Sequence, residues 1–183
     1  MFSLLFTVFV AVMVLAYFTT FSRPITTVIL VRHAEKNIEP ENPNPNLSPA
    51  GQQRAQELVR LLGRSGITAI YATQYARTQQ TVQPLATVLG VPVTQVDSKN
   101  TDELVRQITT AHRGGTVFLA GHNNTVPAII SALGGGDYPV IPENEYDNMF
   151  VVTIYRFGKA KTIPLKYGSA IPASGNQQMS VQP

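Results

Sequence analysis

Two imidazoles and two guanidinium groups occupy chemically suggestive places in this chain. Arg32 and His33 follow the apolar run 26–31, Arg77 opens a helical stretch, and His122 follows a second apolar run, 115–120. A phosphoryl-transfer site needs a nucleophile, cations or N–H donors around three phosphate oxygens, and a proton for the leaving oxygen. A neutral imidazole is a competent nucleophile, and nearby arginines hold it neutral around pH 7. His33 is therefore expected to attack, giving a phosphohistidine that water hydrolyses. Arg32 and Arg77 suit the phosphate oxygens, and His122 suits a hydrogen-bond donor that turns cationic once an anion is bound.

These residues need elements to bring them together, and the chain's periodicity supplies them. The β-branched run 26–31 has no polar alternation, as expected of a strand buried on both faces of a parallel sheet. Residues 37–46, rich in Pro and Asn, read as a mobile loop over that strand's end. Ser48 and Pro49 start a helix with Ala55, Leu58, Leu61 and Leu62 on its apolar face. A strand at 67–71 and a helix at 76–89 follow, then a strand at 91–96 that Pro92 places near an edge. Residues 101–112 are helical, with His112 as a cation at the helix end. The strand 115–120 precedes a helix capped by Asn124 and running to Leu133. Strands at 149–156 and 160–166 are expected to join through a two-residue turn at Gly158 and Lys159. The alternation predicts a three-layer α/β/α sandwich with a mostly parallel sheet over residues 25–167. Ligands of such sheets bind outside the carboxyl ends of the strands, where Arg32, His33 and His122 lie.

The ends of the chain differ from this domain. Residues 1–22 contain no charged side chain and are long enough to cross a bilayer core, which predicts an N-terminal transmembrane anchor. Arg23 nominally favours a cytoplasmic domain. The lack of Cys is compatible with an oxidising compartment, and an extracytoplasmic, periplasmic site is the expectation. Residues 168–183 are rich in Ser, Gly, Gln and Pro and read as a disordered tail. The 14 basic residues, against 11 acidic ones, are scattered and do not form a stripe, so nucleic acid is not an expected partner.

Four segments carry a family resemblance: VRHAEK at 31–36, LSPAG at 47–51, YARTQQT at 75–81 and GHNNT at 121–125. In order and spacing they resemble the motifs of the histidine phosphatase, or phosphoglycerate mutase-like, superfamily, over residues 26–156. The resemblance implies a phosphatase with His33 as nucleophile, His122 as second catalytic histidine, and Arg32 and Arg77 as phosphate clamps. Asn37, just after the first motif, and Asn123, inside the fourth, are further candidates for substrate contact. The proton donor is open among Glu35, Asp97, Asp102, Glu103, Glu145 and Asp147, with Glu35 favoured. A site built from His33, Glu35 and His122 does not suit a metal, because the flanking arginines repel a cation, and no cofactor is expected. A small phosphorylated substrate is the expected partner. The competing readings are a phosphomutase and a non-catalytic, membrane-displayed phosphate-binding domain.

Overall fold

A computed structural model of the chain describes residues 2–21, 25–155 and 159–168, with side chains described except at 2–4 and 18–21. Helix α1 (Phe2–Phe21) comes first. Then follow β1 (Thr26–Arg32), α2 (Pro49–Leu62), β2 (Ile67–Thr73), α3 (Ala76–Leu89), β3 (Val93–Val96), α4 (Thr101–Ala111), β4 (Thr116–Gly121), α5 (Thr125–Ala132), β5 (Asn148–Ile154) and β6 (Ala160–Lys166).

Among the described residues the strands form one sheet in the order β3-β2-β4-β1-β5-β6. The pairings from β3 to β1 are parallel, and β5 and β6 join antiparallel, so the sheet is mixed. Successive residues of β1 enter opposite layers, as the two-residue period of a strand requires. Val28 and Leu30 pack with Ile108 of α4 and Ile130 of α5, while Ile29 and Val31 pack with Leu58 of α2 and Leu85 of α3. Burial on both faces explains the run without polar alternation. Each fully buried side chain of this size contributes about 1.5–3 kcal/mol, so tertiary burial more than helix propensity holds these short helices.

Local chemistry sets the element ends. The Ser48 hydroxyl accepts the Gly51 N–H at 3.2 Å, and Pro49 occupies the first helical position, as expected. At the far end of α3, Gly90 takes φ 65°, a left-handed turn that stops the helix. Pro92 just precedes β3, which is indeed an edge strand.

Several expectations need correction. Leu61 is 42% exposed, so the buried stripe of α2 is Ala55, Leu58 and Leu62. The β5–β6 ladder closes at Ile154↔Ala160, which leaves residues 155–159 to connect the strands and rules out the two-residue turn. Residues 156–158 of that connection lie outside the described residues. Asn124 precedes α5 but makes no side-chain cap, and the Thr125 hydroxyl instead accepts the His122 N–H at 2.9 Å. His112 does stand at the C-terminal end of α4, and its Nε2 lies 2.7 Å from the Tyr71 hydroxyl.

The segment 37–46 is bonded to α3 and is not a free loop. Asn44 accepts the Ala76 N–H at the start of α3, and Gln80 bonds both Asn46 and the Leu47 N–H. Amides thus pin this loop to α3.

At the N-terminus, described side chains of α1 run from Leu5 to Tyr17 and are exposed. No helix among the described residues is long and apolar enough to cross a membrane. The expected transmembrane span therefore does not stand as a finding, and Arg23 and residues 169–183 lie outside the described residues.

Candidate active site

The carboxyl ends of the parallel strands open into one cleft of about 350 Å³. β1 supplies Arg32 and His33, and the turn into α3 supplies Tyr75 and Arg77. Ser98 and Lys99 enter from the segment after β3, and residues 122–125 from the start of α5. β5 runs against its neighbour β1, so the loop that leads into β5 reaches the same rim and contributes Glu143.

His33 is 4% exposed, and its backbone N–H donates to the Gly121 carbonyl at 2.9 Å, which ties β1 to β4 at the site. Its Nδ1 lies 2.8 Å from the Ala34 carbonyl. A carbonyl only accepts, so Nδ1 carries the proton and Nε2 keeps its lone pair. Burial first, then Arg32, Arg77 and His122, push the imidazole pKa down to about 3, although the Ala34 bond opposes this. The ring is neutral across the physiological range. The His122 ring stands 5.4 Å from it, edge-on.

His122 is held by hydroxyls. Its Nε2 lies 2.9 Å from Thr73 Oγ1, which lies 2.8 Å from Thr78 Oγ1, and the Thr78 hydroxyl is 2.8 Å from the Tyr75 carbonyl. Because the carbonyl fixes where Thr78 sends its proton, Thr73 donates to Thr78 and His122 Nε2–H donates to Thr73. The remaining nitrogen, Nδ1, becomes a donor only in the imidazolium. Burial, then Arg77, Arg32 and Lys36, lower this pKa to about 4.

The two arginines are positioned by stacking. Arg32 lies 4.4 Å over the Tyr146 ring and Arg77 4.5 Å over the Tyr75 ring. Arg32 is 1% exposed. Its Nη1 donates to the carbonyls of Pro142, Glu143 and Glu145 at 2.7, 2.9 and 3.1 Å, and its Nη2 to the Glu143 carboxylate at 2.8 Å. Among the described residues, Nε of Arg32 and Nε of Arg77 are buried with no acceptor. Both residues line the cleft, so it carries two guanidinium charges beside the two imidazoles.

The structure brings together Arg32, His33, Arg77, His122 and Asn123, as the sequence predicts. It does not bring Glu35 there. Glu35 turns away into a bidentate ion pair with Arg54, at 2.8–3.0 Å, and Arg54 also donates to the Tyr167 carbonyl. Asn37 is absent from the cleft lining as well, its backbone N–H donating to Asn46 in the pinned loop. Asn123 does line the cleft, with Nδ2 2.6 Å from the second oxygen of Glu143. Sequence reasoning missed Glu143, Tyr75 and Tyr146. The last two had a signal, since each aromatic sits close to a motif or to the strand that packs on β1. Glu143 had none. Among the described residues no group of three or more His, Cys, Asp or Glu side chains could hold a metal ion.

Residues 28–100 match the sequence model described as histidine phosphatase superfamily, branch 1, a span with Arg32, His33 and Arg77 that stops short of His122. No curated protein matches the chain in sequence. Among solved structures the chain is similar to the protein histidine phosphatase SixA complexed with tungstate, with TM-score 0.63, 16% identity, and 76% of this chain and 96% of that one covered. It is similar to YhfR of Bacillus stearothermophilus, with TM-score 0.62, 16% identity and coverages of 74% and 94%. A mycobacterial glucosyl-3-phosphoglycerate phosphatase aligns with TM-score 0.61, 12% identity and coverages of 80% and 100%. At such identities the likeness is one of fold. The recognition drawn from the four motifs is thus borne out: residues 28–100 carry the sequence pattern of the histidine phosphatase superfamily, branch 1, on a fold shared with SixA.

Proposed function

We propose that the chain is a phosphomonoesterase that hydrolyses a small phosphorylated substrate through a phosphohistidine on His33. The observation that carries this reading is the meeting of Arg32, Arg77 and His122 in one cleft around a neutral, Nδ1-protonated His33. Arg32 and Arg77 supply the positive charge that a phosphoryl group needs, and His33 Nε2 supplies the attacking lone pair. The incoming negative charge offsets the two arginines, so His122 takes up a proton and donates from Nδ1 to a phosphate oxygen. Water then attacks the phosphorus of phosphohistidine and frees inorganic phosphate.

Hydrolysis rather than mutase transfer is favoured by the loop 37–46, which is bonded to α3 and leaves the cleft open to water. α1 supports a membrane tether as a finer part of this reading, because residues 2–21 carry no charge. An extracytoplasmic catalytic domain belongs to the same proposal.

The test is turnover of a panel of phosphomonoesters by the full chain in detergent, with alkaline trapping because phosphohistidine is acid-labile. We expect wild-type turnover with a trapped label. His33→Ala abolishes both. Arg77→Ala lowers kcat by about 10²–10³-fold, the scale of losing one preorganised donor to the transition state. Phosphate binding by the wild-type chain with neither turnover nor label would instead identify a non-catalytic binding domain.

A further inference from the structure

The phosphomonoesterase reading leaves the leaving oxygen without a proton source, and Glu35, held by Arg54, does not supply one. We propose that Glu143 is that source, a catalytic residue brought to the phosphate by Arg32; this inference rests on the phosphomonoesterase reading.

Glu143 is the one carboxylate among the residues that line the cleft. Four of the other candidates are engaged elsewhere, and Asp102 does not line the cleft. Glu103 is bonded by Arg106 and Gln107, which hold its pKa down at about 2. Glu145 and Asp147 share Lys166, and the Asp97 carboxylate accepts the Lys99 backbone N–H.

Position favours the role. His33 is at the buried floor, with 4% exposure, whereas the Glu143 side chain is 74% exposed at the mouth. In-line attack from the floor sends the leaving oxygen toward the mouth. The loop is also aimed: three of its carbonyls converge on Arg32 Nη1, and Asn123 and Arg32 each take one oxygen of the carboxylate. One guanidinium thereby fixes both the phosphate position and the acid beside it. The step starts with a proton on Glu143, carried in by a monoanionic ester or taken from water.

The step balances. His33 Nε2 donates its lone pair to phosphorus as the P–O bond to the alcohol breaks, and the leaving oxygen takes that electron pair and the Glu143 proton. In the second half, the Glu143 carboxylate removes a proton from the attacking water as the P–N bond breaks. His33 recovers its lone pair and Glu143 its proton, with alcohol and phosphate as products.

The leaving group makes the test selective, because an alkoxide needs a proton and p-nitrophenolate does not. With the full chain in detergent, we expect Glu143→Gln to lose about 10²-fold or more in kcat on glycerol phosphate, but less than about tenfold on p-nitrophenyl phosphate. Glu143→Asp, which keeps the acid, recovers part of the loss on glycerol phosphate. Equal losses on both esters would overturn the proposal. So would a gain in kcat/KM with tighter inhibition by inorganic phosphate, which would show Glu143 to be a competitor for Arg32. If the wild type turns over neither ester, the phosphomonoesterase reading falls, and this role with it.

Discussion

His33 and His122 are kept neutral by the fold, and neutrality has a pH signature. Their pKa values, about 3 and about 4 when folded, lie below the ordinary value of 6.5. Between pH 6.5 and those values the unfolded chain binds protons that the folded chain refuses, so stability is complete above pH 6.5 and declines as pH falls through the window. Each imidazole contributes a slope of up to about 1.4 kcal/mol per pH unit. His33→Gln should therefore lose less stability than wild type between pH 7 and pH 5, measured as the shift in urea midpoint. A drop as large as that of wild type would mean that His33 is not held neutral by burial. Added inorganic phosphate should act in the opposite sense, since an anion beside the arginines stabilises the charged rings.

At the scale of elements, the closest constraint is between α2 and the loop after β1. A Cβ on Gly51 would lie 2.1 Å from the Glu35 carbonyl oxygen, a backbone atom with no easy retreat. That carbonyl already accepts the Ser48 N–H, and Ser48 caps α2. Gly51→Ala should cost about 1–3 kcal/mol in urea unfolding, as overpacking typically does, while Gln52→Ala on the exposed side should be near neutral. Equal, negligible effects would show that the loop gives way freely. This contact also shows what the chain order conceals. Arg32, His33, Arg77 and His122 are legible because each sits where a strand ends or a helix begins, and four motifs mark those places. Glu35 misleads because nothing in the sequence pairs it with Arg54, nineteen positions on, although the folded loop turns it straight into that guanidinium. Glu143 stays hidden for a different reason. It lies in an aperiodic stretch between α5 and β5, and reaches the cleft only because β5 runs antiparallel to β1.

For the whole molecule, α1 carries the proposed tether of the domain behind it. If it tethers the chain to a bilayer, the full-length protein should remain with membranes through alkaline carbonate washing and be released by detergent. Val10→Arg, a charge at the middle of the helix, should weaken that retention, at roughly 2.5–3.5 kcal/mol for insertion. Release of wild type by carbonate alone would count against a spanning anchor, and a reporter fused to the C-terminus would give the side on which the domain lies. The ladder between β1 and β5, in which Val31 faces Met149, also sets the rim of the cleft. Because inward and outward side chains alternate, the smallest slip that keeps the same residues in the core is two positions. Such a slip would carry the approach to β5 about 7 Å along its neighbour, and Tyr146 would slide off the guanidinium it now covers. Hydrogen-bond pairing in the centre of the sheet thus acts as a ruler, setting how far an acidic group from the chain's second half stands from an imidazole of its first.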